Sequence, residues 1–216
     1  LQLVRSHVPD IIVSDVMMPR MNGYKLCKTI KEDINISHIP VILLTARDDR
    51  QSQISGYKNG ADGYLSKPFE VEMLMELIRN RLKNREYTKK RYLNAGLIPT
   101  PEESTISLTD ETFLIKLNSI IQENIENSNL GIQFICQEVG LGRSSLYNKL
   151  KALTGMGANE YISKLRIEKA ITLISGTDMP FSEIAEKTGF TTPSYFSTAF
   201  KQYTGETPSQ YKERKK

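Results

Sequence analysis

The chain contains 216 residues, 39% of them hydrophobic and 25% charged, which is enough for one or two globular domains. The formal net charge is only +4, so bulk charge does not indicate a nucleic-acid partner, and local clusters would have to do so. No signal peptide or membrane-length apolar run is recognised, and Cys27 and Cys136 lack a CxxC spacing, which favours a reduced cytoplasmic protein without membrane contact.

The first third of the chain alternates short apolar runs with helix-like segments. The runs occupy residues 10–15, 39–46 and 63–68. A helix is expected after each of the first two runs, the second helix ending near Gly60. This alternation predicts βαβ units and a parallel sheet whose apolar strands are buried on both faces. Since sites in such sheets form at the carboxyl ends of the strands, we expect Asp15, Thr45 and Lys67 to lie together at one edge.

An acid, a hydroxyl and an ammonium group at one sheet edge suit phosphoryl chemistry. The Asp15 carboxylate can act as a nucleophile that forms an aspartyl-phosphate. Lys67 would pair with the phosphoryl oxygens, and Thr45 would donate a hydrogen bond to one of them. The alternative is purely structural, with a salt bridge at a loop edge and the threonine capping the next helix.

The same region resembles the receiver domain of bacterial two-component response regulators. The residues that carry the resemblance are Asp15, Met18-Pro19, Gly23, Thr45-Ala46, Tyr64 and Lys67-Pro68. The resemblance implies a flavodoxin-like α/β fold in which Asp15 is the phosphoacceptor and is supported by Thr45, Tyr64 and Lys67. It also implies a cis peptide bond before Pro68.

The chain departs from the receiver pattern at its start. A receiver begins with a strand that carries an acidic pair for Mg²⁺, and no such strand precedes Leu1. The resemblance implies Mg²⁺ for the complete receiver, but Asp15 and the backbone carbonyl of Met17 make a poor site alone, and Asp10 lies at the opposite end of its strand. The chain as given is therefore expected to be an incomplete receiver, with an exposed apolar sheet edge, that binds Mg²⁺ and accepts phosphate poorly.

A change in composition separates the first third from the rest. Residues 79–91 are charged and are expected to continue the receiver's last helix, whereas residues 95–110 contain glycine and proline without apolar periodicity. We divide the chain accordingly into a partial receiver (residues 1–84), a linker (85–109) and a helical domain (110–216). The helical domain is expected to begin with a helix at Thr109-Asp110. The predicted buried side of this helix consists of Phe113, Leu114, Leu117, Ile120, Ile121 and Ile125.

The helical domain contains an internal repeat. Leu150, Lys151, Thr154, Gly155 and Tyr161 correspond, 50 positions later, to Phe200, Lys201, Thr204, Gly205 and Tyr211. A repeat of this size is one supersecondary unit used twice, and each copy has a short helix and a glycine, Gly140 or Gly189, before its main helix. The pattern predicts two helix-turn-helix units at about residues 130–155 and 180–205, with supporting helices at 132–138 and 181–187.

Apolar periodicity decides which side of each main helix is buried. The expected buried stripes are Leu146, Leu150 and Leu153 in copy one and Phe196, Phe200 and Tyr203 in copy two. The remaining side chains are mostly hydroxyls, amides, phenols and basic groups, which can reach base edges in a major groove and hold phosphates. They are Arg143, Ser144, Tyr147, Asn148 and Lys151 in copy one and Thr192, Ser194, Tyr195, Ser197, Thr198 and Lys201 in copy two.

A helix-start motif and the positions of the basic residues also bear on the helical domain. Thr192 followed by Pro193 predicts the N-terminus of the second main helix. Basic residues form three clusters, which are Arg143, Lys149 and Lys151, then Lys164 and Arg166, and finally Lys212, Arg214, Lys215 and Lys216. We expect the first two clusters to supply positive charge for a nucleic acid, whereas the third is better explained as a solvated chain end.

On periodicity alone, the two units could equally form a helical bundle without a ligand. Residues 130–211, however, resemble the DNA-binding domain of the AraC/XylS family. The matching residues are Tyr161-Ile162, Leu165-Arg166, Ala170 and Leu173 in a linker helix and Ile184-Ala185, Gly189-Phe190, Tyr195-Phe196, Phe200-Lys201, Thr204-Gly205, Pro208 and Tyr211 in the second unit. The resemblance implies that the two units read double-stranded DNA in successive major grooves roughly 34 Å apart. We assign base-edge contacts to Tyr147, Asn148, Ser197 and Thr198 and phosphate contacts to Arg143, Lys151 and Lys201.

The order of receiver, linker and AraC-type domain resembles the C-terminal end of the hybrid two-component regulators of Bacteroidetes. It implies a transcriptional regulator gated by aspartyl phosphorylation, with a histidine kinase domain as phosphodonor, and it leaves a homodimer and contact with RNA polymerase open. The chain itself is not expected to be an enzyme, since it has no ATP-binding glycine motif. The alternatives are a free-standing response regulator, and an output part of a hybrid sensor kinase whose receiver mainly serves protein–protein interaction.

Overall fold

The computed structural model describes residues 1–46, 60–94 and 107–215. The helix expected before Gly60 and residues 95–106 of the expected linker lie outside these ranges. The first elements are α1 (Gln2–His7), β1 (Ile12–Asp15), α2 (Gly23–Glu32), β2 (Val41–Thr45), β3 (Gly63–Ser66) and α3 (Val71–Asn94). They are followed by α4 (Leu108–Glu123), α5 (Ile132–Val139), α6 (Arg143–Thr154), α7 (Ala158–Gly176), α8 (Phe181–Lys187), α9 (Pro193–Thr204) and α10 (Pro208–Lys215).

Contacts between residues divide the chain into two compact units. The first unit contains Leu1–Phe113 and Asn148–Gly155, and the second contains Leu114–Tyr147 and Met156–Lys216. Each unit has an apolar core of its own, around the parallel sheet in the first and around α7, α8 and α9 in the second.

The first unit is built on a three-stranded parallel sheet with the order β1-β2-β3. Asp15 is paired with Leu44, and Thr45 with Ser66, so the carboxyl ends of the strands are aligned. The central strand β2 is almost entirely buried, as expected for an apolar run that is covered on both faces. The strand β1 is an edge of the described sheet, where Val13 is partly exposed. The predicted parallel α/β fold is therefore confirmed.

The two predicted helix-turn-helix units are also present, as α5 with α6 and α8 with α9, and their turns are built alike. Gly140 and Gly189 have φ angles of 71° and 73°, a left-handed conformation that glycine adopts without strain. At Gly189 a Cβ atom would lie 2.2 Å from the backbone oxygen of Ile125. Any side chain there would push the turn away from the end of α4.

The repeated Thr-Gly pair ends the main helix of both copies with the same hydrogen bonds. The hydroxyls of Thr154 and Thr204 each donate at 2.8 Å to the carbonyl four residues earlier. The backbone N–H groups of Gly155 and Gly205 also donate to carbonyls of the preceding turn, at 3.1 and 2.8 Å. The 50-residue repeat in the sequence is thus, in part, a repeat of helix-ending contacts.

The buried stripes agree with the prediction at all but one position. The buried members are Leu146, Leu150, Leu153, Phe196 and Phe200, together with all six residues predicted for the inner side of α4. The prediction for Tyr203 is wrong, since its side chain is 39% exposed and its hydroxyl donates to Glu168 at 3.2 Å. A phenol carries a polar group that needs a partner, so it lies at the margin of the core rather than inside it.

Aromatic rings fix α9 within the second unit. Phe196 and Phe200 are fully buried, and their ring centroids lie 5.7 Å apart in an edge-to-face arrangement. Phe200 makes a similar contact with Tyr211 of α10 at 5.5 Å. Such pairs contribute about 0.5–1.5 kcal/mol beyond the burial of their area, and they hold the opposite side of α9 toward solvent.

The two cysteines and the apolar character of the helices were also considered in the sequence. Cys27 and Cys136 are both free thiols. Within residues 1–46, 60–94 and 107–215, none of the helices combines the length and the apolar character that a membrane span requires.

Candidate functional site

The first candidate site is the carboxyl edge of the parallel sheet. Asp15 ends β1, and Lys67 directly follows β3, before the cis peptide bond to Pro68. The ammonium group of Lys67 contacts Asp15 Oδ2, and the backbone N–H of Met17 donates to Asp15 Oδ1 at 3.0 Å. One third of the Asp15 side chain, 34%, is exposed, so a reactant can approach the carboxylate.

These contacts keep the carboxylate of this site charged. The hydrogen bond from Lys67, followed by that from the backbone of Met17, lowers the pKa of Asp15 below its ordinary value. Asp15 is therefore ionised at neutral pH, which is the form that a nucleophile requires. The neighbouring ammonium group can balance negative charge that the carboxylate gains in a reaction.

Thr45 and Tyr64, the other predicted residues of this site, are placed by the neighbouring strands. Thr45 ends β2 and is buried, and its carbonyl accepts the backbone N–H of Lys67 at 2.6 Å. Tyr64 lies half-buried on β3, with its hydroxyl 3.4 Å from that of Tyr24. The structure thus brings Asp15 and Lys67 into contact and places Thr45 at the same edge of the sheet, as the strand pattern predicts.

The described residues do not by themselves fit a Mg²⁺ ion at this edge. Asp15 offers one carboxylate, and its oxygens are engaged by Lys67 and by the N–H of Met17. No group of three or more histidine, cysteine, aspartate or glutamate residues with metal-binding geometry occurs in the described part of the chain. Mg²⁺ is a hard cation that proteins hold through carboxylate oxygens together with waters, and the single carboxylate here is already paired with the ammonium group of Lys67.

The second candidate site consists of the exposed faces of α6 and α9. On α6 the predicted residues Arg143, Ser144, Tyr147, Asn148 and Lys151 are all exposed. Burial of Leu146 and Leu150 on the same helix holds this polar face outward, because residues four apart lie on one side of a helix. The face offers a guanidinium group, a hydroxyl, a phenol, an amide and an ammonium group, each of which can form hydrogen bonds with a polar partner.

On α9 the predicted residues are arranged in the same way. Ser194, Tyr195, Thr198 and Lys201 are exposed, and Ser197 is half-buried. Thr192 is engaged in the fold, since its hydroxyl accepts the backbone N–H of Tyr195 at 3.2 Å and caps the helix, as predicted.

Lys149 does not belong to an exposed basic cluster, and that prediction is wrong. Its side chain is fully buried in the first unit, where Nζ donates to Ser37 Oγ at 2.8 Å and to Asp110 Oδ1. Nζ also lies 5.1 Å from the ring centroid of Phe113, and the Ser37 hydroxyl donates to Asp110 at 2.7 Å. We call Ser37, Asp110 and Lys149 the buried triad. The periodicity of a single helix could not reveal these partners, because they come from distant parts of the sequence.

The basic pair on α7 is buried as well, which corrects the second cluster. Arg166 is 8% exposed and donates to the carbonyl of Asn127 at 2.7 Å. Lys164 is 6% exposed and lies 3.7 Å from the carboxylate of Glu168. Both side chains stabilise the second unit rather than offer charge to a ligand, because α7 is packed on several sides.

The described part of the basic tail lies on a helix, and Arg214 and Lys215 remain exposed there, as expected for a solvated end. In α10, Lys212 pairs with Asp178 at 3.2 Å, and Arg214 pairs with Glu206 at 2.6 Å. The helix is therefore attached to the second unit by exposed ion pairs, each of which contributes little free energy by itself.

Gln202 is a candidate contact residue that the sequence analysis missed. It is exposed on α9 and, together with Tyr195 and Thr198, lines a groove of about 390 Å³ beside α7. The spacing i, i+3, i+7 of these three residues places them on one helix face, so the helical period could have identified Gln202. Its amide has the donor and acceptor pair that Asn148 offers on α6.

Two family models match the chain. The model of the response regulator receiver domain matches residues 1–79. The model of the helix-turn-helix domain matches residues 135–214. The matches cover the regions that contain the two candidate sites.

Similar proteins include a kinase and a transcriptional regulator. Histidine kinase P4 of Formosa agariphila is 42% identical over 214 residues, which cover 99% of this chain and 16% of that protein. Probable transcriptional regulator ycf29 of Pyropia yezoensis is 30% identical over 162 residues, which cover 70% of this chain and 73% of that protein. Among solved structures, the C-terminal domain of AraT, a response regulator from Geobacillus stearothermophilus, is 31% identical with a TM-score of 0.45, covering 47% of this chain and 84% of that one.

Proposed function

The chain belongs to the response regulators in which a receiver domain precedes an AraC-type helix-turn-helix domain, and from this premise we propose that it is a sequence-specific transcriptional regulator controlled by phosphorylation of Asp15. The observation that supports this most strongly is the pair of exposed polar faces on α6 and α9, each held outward by a buried apolar stripe. We place the receiver at residues 1–84, the linker at 85–109 and the DNA-binding domain at 110–216.

The proposed phosphoryl transfer uses the carboxylate of Asp15 as nucleophile. A carboxylate oxygen attacks the phosphorus atom of a phosphohistidine on a histidine kinase domain, the O–P bond forms, and the P–N bond breaks as the imidazole leaves with the electron pair. Lys67 then balances the charge of the phosphoryl oxygens, and the hydroxyl of Thr45 donates to one of them. Receiver domains generally bind Mg²⁺, and in a complete site the ion would neutralise phosphoryl charge.

The proposed DNA contact divides the exposed side chains by their chemistry. Arg143, Lys151 and Lys201 hold phosphates, because cations contribute sequence-independent affinity. Tyr147, Asn148, Ser197 and Thr198 reach base edges in the major groove, where amides and hydroxyls can distinguish base pairs. Phosphorylation would shift the population of a DNA-binding form, through receiver dimerisation on paired sites.

Lys201→Ala is expected to weaken binding to every DNA sequence by a similar factor. The logarithm of the binding constant falls linearly with the logarithm of the salt concentration. Removing one lysine–phosphate interaction should make this slope about 0.9 less steep, because one fewer counterion is released. Fluorescence anisotropy with a duplex selected from a randomised pool and with random DNA, each over a salt series, would measure both quantities. Lys169→Ala is the matched control, since it removes the same charge from a lysine that is paired with Glu126. A slope equal to that of the control would contradict the phosphate contact.

Asn148→Ala is expected to relax specificity rather than to weaken all binding. A bidentate amide–base pair contributes about 1–3 kcal/mol of discrimination against the wrong base. Competition between the selected duplex and its single-base variants would show loss of preference at one position. Asn159→Ala, at an exposed position on α7, should leave the preference unchanged. An equal loss of affinity for selected and random DNA would count against the assigned role of Asn148.

A second candidate function is favoured by one comparison. The relative named as a histidine kinase aligns with 99% of this chain, which spans 16% of that protein. The chain would then be the C-terminal output part of a hybrid sensor kinase, and its receiver would mainly serve protein–protein interaction. This alternative predicts that the affinity for DNA is the same before and after phosphorylation, whereas the first candidate predicts a difference.

A further inference from the structure

A cavity of about 70 Å³ lies in the first unit, beside the residues that precede β2 and thus at the opposite end of this strand from Thr45. Its charged and titratable lining consists of Lys31, His38, Asp62, Arg81, Arg85 and Asp110. One water requires about 10–15 Å³ by the same kind of measure, so the cavity has room for about five waters or one small oxyanion.

Two buried nitrogen atoms of the cavity residues have no hydrogen-bond partner within the described ranges. They are Nδ1 of His38 and Nε of Arg81. His38 is only 7% exposed, and a buried polar group without a partner destabilises the fold because it has lost its hydrogen bonds to water. Such groups are rare in folded proteins, and they call for a polar partner inside the cavity, either water or an ion.

Both acidic side chains that line the cavity are paired with lysines. Lys31 forms an ion pair with Asp62 at 2.7 Å, and Asp110 is paired with Lys149. Positive charge therefore remains on the side of the cavity that α3 provides.

On that side, Arg81 and Arg85 occupy positions i and i+4 of α3 and so lie on one face of the helix. Arg85 lies 3.8 Å from the carboxylate of Asp10 and donates one hydrogen bond, from Nη1 to the carbonyl of Asp10 at 3.2 Å, and most of its side chain is buried. Arg81 forms no ion pair with any residue in the described part of the chain. A guanidinium fork matches the geometry of carboxylates and phosphates, with which it forms paired hydrogen bonds.

We propose that this cavity binds a small oxyanion, which Arg81 and Arg85 hold by charge-assisted hydrogen bonds and His38 contacts through its imidazole. The ligand class comprises inorganic phosphate, phosphate esters and small carboxylates, which share this chemistry. The site is separate from Asp15 and does not depend on the proposed regulatory function.

The chain has two histidines, so a proton NMR titration can follow His38 directly, with His7 as an internal reference. Burial, followed by the charge of Lys149, lowers the pKa of His38 to about 4, with Arg85 and Lys31 acting in the same direction and Asp110 against them. A bound anion favours the imidazolium form, so inorganic phosphate at constant ionic strength should raise the pKa of His38, whereas the ring-proton signals of His7 should not respond to phosphate. The experiment uses the intact 216-residue chain.

A parallel titration with acetate at the same ionic strength shows whether the site binds only phosphate groups or small carboxylates as well. A response to phosphate alone assigns the site to phosphate or its esters, and an equal response to both assigns it to small carboxylates as well. Arg81→Gln should weaken phosphate binding about tenfold or more, since a hydrogen bond to a charged group contributes about 1.5–3 kcal/mol. Arg79→Gln is the matched control, because Arg79 is exposed on the same helix and paired with Glu76.

Arg85→Gln provides a second test if Arg81→Gln alters the fold, which circular dichroism would reveal. The proposal is overturned if phosphate leaves the pKa of His38 unchanged in the intact chain. It is also overturned if the ring-proton signals of His7 and His38 respond equally to phosphate, or if the response of His38 persists in both folded arginine variants.

Discussion

Replacing Lys149 with alanine is expected to lower the free energy of unfolding by about 3–5 kcal/mol, because the change leaves the carboxylate of Asp110 buried without its counterion. The side chain of Lys149 is fully buried, and its ammonium group contacts both Asp110 and Ser37. Burial lowers the pKa of Lys149, while the carboxylate of Asp110 acts in the opposite direction and favours the ammonium form. Urea denaturation followed by circular dichroism would measure the loss of stability.

Lys151→Ala is the matched control for this prediction. Lys151 lies two positions further along α6 and is exposed, so its removal should change the free energy of unfolding by no more than about 0.5 kcal/mol. The double variant Lys149→Met with Asp110→Asn should recover much of the loss, since no unpaired charge remains. Equal effects of Lys149→Ala and Lys151→Ala would show that the buried triad does not stabilise the fold.

Replacing Asp15 with asparagine is expected to abolish the uptake of a phosphoryl group from a phosphorylated histidine kinase domain. An amide lacks the negative charge that makes the carboxylate a nucleophile, and it cannot form an acyl phosphate. Mass spectrometry after incubation with the kinase domain would detect the added phosphoryl group and locate it on the chain. The phosphorylated product should lose the group on treatment with hydroxylamine, which cleaves acyl phosphates.

Asp10→Asn tests whether this effect is specific to position 15. Asp10 lies just before β1, and its side chain is 89% exposed, so it is close to Asp15 in the sequence but does not belong to the site. The Asp10→Asn variant should take up the same fraction of phosphoryl groups as the unchanged chain, whatever that fraction is. Persistence of a hydroxylamine-sensitive group in Asp15→Asn would show that another carboxylate is the acceptor.

Much of the fold could be predicted because the relevant signals are local. Apolar runs followed by Asp15, Thr45 and Lys67 predicted three parallel strands with aligned ends, and the sheet has that arrangement. The 50-residue repeat predicted two equivalent helix-turn-helix units, and the hydroxyls of Thr154 and Thr204 form equivalent bonds at the ends of their main helices. The position where a strand or a helix ends depends on residues that lie close together in the sequence. A short stretch of sequence is therefore enough to predict it.

The candidate sites could be predicted only where a side chain needs no distant partner. The exposed faces of α6 and α9 follow from the helical period, because the apolar stripe determines the opposite side. The same helical period predicted a buried position for Tyr203. Its hydroxyl, however, donates to Glu168, and the ring therefore lies at the margin of the core. The helical period predicts on which face of the helix a residue lies. It does not predict which group a polar atom on that face will contact.

By itself the sequence determined the parallel sheet, the two helix-turn-helix units and the positions of Asp15 and Lys67 at one sheet edge. Only the tertiary structure decided which basic residues are free to meet a ligand. Lys149 and Arg166 look like surface charges in the sequence, yet each is buried against partners 39 residues away, Asp110 and Asn127. The physical reason is that a charge enters the interior only where a counterion or a carbonyl offsets the loss of hydration, and that partner is brought close by the fold rather than by the chain.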